Sequence, residues 1–146
     1  MRRSMVIGAV LALAVSACSP DGPSEPAVSV VVECIAFETS GADPAPVVRD
    51  LAVEAGQAFD VTICSNPSTG FAWEQPTWEG DATLEFVERS ILQSVGGPPG
   101  EAGQERFTFK AASAGGATVH FVYSQPWDGG TKGAWLLDLA VTVTVE

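Results

Sequence analysis

The chain has little positive charge: 7 Lys and Arg stand against 18 Asp and Glu, a formal charge of −11 over 146 residues. Such a surface repels phosphate backbones, which excludes nucleic acid as a natural partner. Histidine is scarcer still, with His120 alone, in an apolar stretch that reads as mid-strand. A Ser-His-Asp or Cys-His set would have to be built on that one residue, and no spacing suggests it. The GxSxG, HExxH and phosphate-cradling Gly-Lys-Ser/Thr motifs are all missing. The acids are scattered, as on a solvated surface, and Asn66-Pro67-Ser68 is no glycosylation sequon because its middle residue is Pro. Beyond the N-terminal segment, no long run carries the i, i+3, i+4 spacing of a surface helix. The residues point away from an enzyme and from cofactor or metal chemistry.

What is present suits a β protein. Hydrophobic residues make up 46%, too many for a disordered chain, and 15 Gly and 10 Pro are spread between short Val-rich runs. The N-terminus reads as a targeting signal: Arg2 and Arg3, an apolar run from Met5 to Val15 too short to span a bilayer comfortably, then Val15-Ser16-Ala17-Cys18. The last four resemble a bacterial lipobox, which implies cleavage before Cys18 and a lipid on its thiol. An ordinary secretory signal cleaved near Ala17 is the alternative. We therefore expect residues 1–17 to be a signal peptide, 18–26 an acylated Cys and flexible tether, and 27–146 the folded domain. The location would be the cell envelope, by lipid anchor. The tether Ser19–Pro26, in polyproline geometry, reaches about 25 Å. Cys34 and Cys64 remain, an even pair in an oxidising compartment, so a disulfide is expected if their Cβ atoms approach closely enough.

The strands follow from alternation. We expect them at Val28–Phe37, Val47–Val53, Ala58–Cys64, around Phe71–Trp73, Leu84–Gln93 with a bulge or edge near Glu88-Arg89, Glu105–Ala111, Ala117–Tyr123 and Ala134–Glu146. Turns fall at Thr39–Pro46 and Glu54–Gly56, and Gln75–Gly80 reads as irregular. The longest loop, Ser94–Gly103, is rich in Gly and Pro. About eight strands with a turn every ten residues or so imply an antiparallel β-sandwich.

Three loops stand out. Asn66-Pro67-Ser68-Thr69-Gly70-Phe71 is a stiff turn between strands: Pro67 fixes its own φ, and Gly70 can take a positive one. It is expected to hold the hydroxyls of Ser68 and Thr69 at its tip. Gly100-Glu101-Ala102-Gly103 precedes Phe107-Thr108-Phe109. Tyr123-Ser124-Gln125-Pro126-Trp127 precedes the last strand, with Trp127 either a loop-tip anchor or a core cap. In this order and spacing the three resemble the chagasin family of cysteine-protease inhibitors, marked by NP-[ST]-T-G-[YF], a Gly-rich loop before F-x-F, and Y-x-R-P-W. The resemblance runs from roughly Val47 to Glu146. It implies an immunoglobulin-like sandwich whose loops fill the cleft of a papain-like cysteine protease. Thr69 would lie near the catalytic thiol, the 100–103 and 125–127 loops would flank it, and Trp127 would lie against the protease's aromatic surface. Gln125 stands where the family has Arg, Phe71 where Tyr is usual, and Glu101 adds a negative charge.

The resemblance thus implies a monomeric, reversible, tight-binding inhibitor without cofactor. The alternative is a non-inhibitory envelope lipoprotein that uses the same loops as a protein-binding module.

Overall fold

The computed structural model describes residues 28–38, 45–92 and 102–145, with the backbone alone at Pro67. The signal, Cys18 and the tether lie outside these residues, as do the 39–44 part of the first turn and Gly100 and Glu101.

Among the described residues, nine strands form two packed sheets, with one short α-helix beside them. The strands are β1 (Val28–Val32), β2 (Val47–Glu54), β3 (Ala58–Ser65), β4 (Ala72–Trp73), β5 (Thr77–Gly80), β6 (Leu84–Leu92), β7 (Gly103–Ala111), β8 (Gly115–Ser124) and β9 (Trp135–Thr144). One sheet runs β1-β3-β7-β6; the other runs β2-β9-β8-β4, with β5 also on β8. Alternation decides which side chains face inward. Phe59, Val61, Ile63, Phe107 and Phe109 from the first sheet meet Val119, Phe121, Leu137, Leu139 and Val141 from the second, all essentially without exposure. Phe107 and Phe121 interlock edge-to-face across the layer, with centroids 5.2 Å apart.

Three expectations are corrected. The sandwich is mixed, not purely antiparallel: β1 runs parallel to β3, and β2 parallel to β9. Neither strand is joined to its partner by a hairpin, and only a hairpin would force the antiparallel sense. The run Val28–Phe37 is not one strand. It leaves the sheet after Val32, and Cys34–Glu38 winds into a one-turn helix, α1. An apolar run fits either form by pattern; the Cys34–Cys64 bond, Cα–Cα 5.1 Å, and the burial of Phe37 decide it. Part of the Gln75–Gly80 stretch is a strand, because Thr77–Gly80 pairs with β8 and Trp78 meets Phe109 edge-on at 5.6 Å. The break expected near Glu88-Arg89 is there: the register of β6 shifts between Phe86 and Glu88, and β6 is the edge strand of its sheet. β3 is also more buried than its alternation implies. Asp60 is 6% exposed, accepts a 2.6 Å bond from Thr108 and lies 3.6 Å from Arg106.

Candidate functional site

Strand register gathers the loops at one end. Ser65, the last residue of β3, lies opposite Gly103, the first of β7. Ala72 lies opposite Ser124, and Tyr123 opposite Trp135. The 66–71 loop, Ala102 and the 125–134 loop therefore lie at the same end of the sandwich.

The 66–71 loop is stiffened by its own atoms. Pro67–Thr69 form one turn of 3-10 helix. The Thr69 N–H donates to the Asn66 carbonyl at 3.2 Å, and the Thr69 hydroxyl to the same oxygen at 2.7 Å. The Ser68 hydroxyl donates to Asn66 Oδ1 at 2.5 Å. Both side chains are exposed, as expected, but their hydroxyl protons are spent inside the loop, so these two hydroxyls face outward as acceptors. Gly70 turns the chain back with φ +80°, a value L side chains rarely adopt.

Below the loop lies an aromatic base. Phe71 and Trp73 share a face, their rings 5.5 and 4.8 Å from that of Tyr123. Tyr123 stacks on Trp135 at 4.8 Å, and Trp135 on Phe37 of α1 at 4.9 Å. The Tyr123 hydroxyl accepts the Asn66 N–H at 2.9 Å. Trp73 donates its indole N–H to the Cys64 carbonyl at 3.0 Å. The disulfide is thus fixed two residues before Asn66, and it clamps α1 against the root of the loop. A cleft of about 310 Å³ opens beside it, walled by Thr69, Phe71, Tyr123, Trp135, Ala102 and Cys34.

The 125–134 loop is held differently. Gln125 grips Thr131 from both ends: its N–H donates to the Thr131 carbonyl at 2.8 Å, and its Oε1 accepts the Thr131 N–H at 2.9 Å. The residue in the family's Arg position is therefore turned inward as a loop brace. Lys132 donates to the carbonyls of Gln125 and Trp127. Pro126 is exposed, and Trp127 is half exposed, a loop-tip residue and not a core cap. Its ring lies over Gly70: a Cβ built there would stand 2.7 Å from Trp127 Cη2.

The structure brings Asn66 to Phe71 and Gln125 to Trp127 to one end, with Ala102 and Gly103 beside them at the root of β7. Sequence analysis alone does not single out every residue that shapes this end. It missed Tyr123 as a loop support, although it is the chain's one tyrosine, and it missed Lys132 altogether. His120 stands apart on the outer face of the second sheet. Its Nδ1 is 2.7 Å from Asp138, its cross-strand partner, and its Nε2 is 3.7 Å from Glu79. Cys34 and Cys64 are bonded to each other, so neither is a free thiol nucleophile. Among the described residues no His, Cys, Asp and Glu cluster could hold a metal ion.

The molecule is thus a two-sheet sandwich that carries hydrogen-bonded, partly apolar loops at one end. The chain belongs to the chagasin family: residues 52–143 match Chagasin family peptidase inhibitor I42. It is 34% identical over 82 residues to chagasin of Trypanosoma cruzi, covering 54% of this chain and 74% of that protein. The fold is similar to the crystal structure of the cysteine protease inhibitor EhICP2 from Entamoeba histolytica. That match has a TM-score of 0.57 and 19% identity, over 82% of this chain and all of the other. It is also similar to PbICP-C, solved in complex with falcipain-2, with a TM-score of 0.51 and 12% identity over 82% and 99% of the two chains. These matches show an immunoglobulin-like β-sandwich.

Proposed function

We propose that the chain is a reversible, tight-binding inhibitor of papain-like cysteine proteases. It fills the active-site cleft with Asn66–Phe71, flanked by Gly100–Gly103 and Gln125–Trp127. The target class is carried over from the relatives, one described as a cysteine protease inhibitor and one bound to falcipain-2. The observation that carries the reading is the seat of Trp127 on Gly70, which welds two loops into one wedge before any partner arrives. A wedge already ordered loses little entropy on docking, so more of its contact energy becomes affinity. The 66–71 backbone is wound into a hydrogen-bonded 3-10 turn, not laid out as an extended strand, which opposes its use as a substrate. Trp127, half exposed, supplies the large aromatic anchor that interfaces favour.

We further infer that the inhibitor acts at the cell envelope through a lipid on Cys18, the 19–26 tether lifting it clear of the headgroups. Replacing Cys18 by Ser should move the chain from the membrane fraction to the soluble one.

The test of function is titration of papain with the purified chain, beside a Thr69→Arg, Trp127→Ala double variant. Stoichiometric, reversible loss of activity with the wild type alone is expected. Full protease activity at micromolar excess of folded inhibitor would overturn the reading, leaving a binding module for another partner.

A further inference from the structure

Lys132 lies outside every motif that marks the loops, yet its ammonium stands at the centre of the third one. Nζ donates to the Gln125 carbonyl and, at 3.0 Å, to the Trp127 carbonyl. The Trp127 carbonyl also accepts the Gly130 N–H at 3.1 Å. Two carbonyl dipoles two residues apart thus converge on one point, where a cationic donor bonds both more strongly than a neutral one would. Gly130 shows how closely the turn is drawn in: a Cβ there would stand 2.7 Å from Gln125 Cβ and 3.1 Å from the Trp127 indole nitrogen. Among the described residues no carboxylate lies within 4 Å of the Lys132 ammonium, so its charge is committed to the loop backbone and not to an ion pair.

We propose that Lys132 is a positioning residue of the inhibitory wedge. By clamping the backbone at Gln125 and Trp127, it fixes the direction in which the Trp127 ring leaves the loop. That direction lays the ring over Gly70, so Lys132 couples the third loop to the first without itself meeting the protease. The proposal rests on the inhibitor reading for its consequence, but not for its geometry.

Two readouts on the purified full chain separate these. The first is Ki for papain in a double-mutant cycle. Lys132→Met should raise Ki about tenfold, the scale of one charge-assisted contact acting through the anchor, and mainly through faster dissociation. Lys132→Arg, which keeps the charge and the donors, should restore most of it. In a Trp127→Ala background, Lys132→Met should change Ki less than twofold, because nothing remains to be positioned. The second readout needs no protease: the heteronuclear NOE of the Trp127 indole N–H, assigned with Trp127→Phe. It should fall in Lys132→Met and return in Lys132→Arg. An unchanged NOE in Lys132→Met, or the same tenfold loss of inhibition with and without Trp127, overturns the proposal. If no variant inhibits papain but the NOE responds as stated, the inhibitor reading fails and the clamp stands.

Discussion

The two loops that meet at Gly70 are made stiff by opposite means. In the 66–71 loop, the bonds made by the loop's own side chains span two or three residues, from Ser68 and Thr69 to Asn66, and one longer bond, from the Asn66 N–H to Tyr123, ties the turn to the sheet. In the 125–134 loop, the side-chain bonds span five to seven residues, from Thr131 and Lys132 back to Gln125 and Trp127. The first is a short-range turn that sequence chemistry writes out in order. The second is a clamp that closes only when the loop has already folded. A wedge built from both is braced locally at its tip and at longer range at its flank, with the Trp127–Gly70 contact as the joint.

Breaking what lies beneath both loops should cost most. Replacing Cys34 and Cys64 together by Ala releases a crosslink spanning 30 residues, and chain entropy sets the loss of stability at about 3–4 kcal/mol, read by urea denaturation. A one-turn helix has no stability of its own, so α1 should detach and carry Phe37 off the Trp135 ring. Next comes the joint. Trp127→Ala should raise Ki for papain about 100-fold, the size of a hot-spot loss, while the urea midpoint stays nearly fixed because the ring is half exposed. Gly70→Ala attacks the same contact from below: the positive φ costs about 1 kcal/mol, and the new methyl displaces the indole. Its Ki should rise roughly tenfold, and its effect should not add to that of Trp127→Ala. Tyr123→Phe removes only the acceptor for the part-buried Asn66 N–H and should cost about 1 kcal/mol of stability. Smallest is Ser68→Ala, which cuts one exposed bond and should shift Ki less than about threefold. If Ser68→Ala outweighed Trp127→Ala, the ranking of joint over local turn would be wrong.

The legibility of the fold followed the same division. β9 was plain because Leu137, Leu139, Val141 and Val143 alternate without interruption and pack as they alternate. α1 was not, because Cys34–Glu38 is apolar in a way that suits either strand or helix, and a bond to Cys64 chose between them. β5 was missed because four residues carry too little pattern; pairing with β8 makes the strand. The parallel sense of β1 and β2 was likewise hidden, since edge strands without hairpins show no direction in their composition.

By itself the sequence determined the sandwich class, the core faces, and a stiff turn at Asn66–Gly70, because each rests on period-two burial or on the local torsions of Pro and Gly. Only tertiary structure decided that Gln125 turns inward, that Lys132 closes the third loop, and that Trp127 settles on Gly70. Those contacts join residues as much as 57 positions apart, and at that range strand register, not local preference, determines which side chains meet.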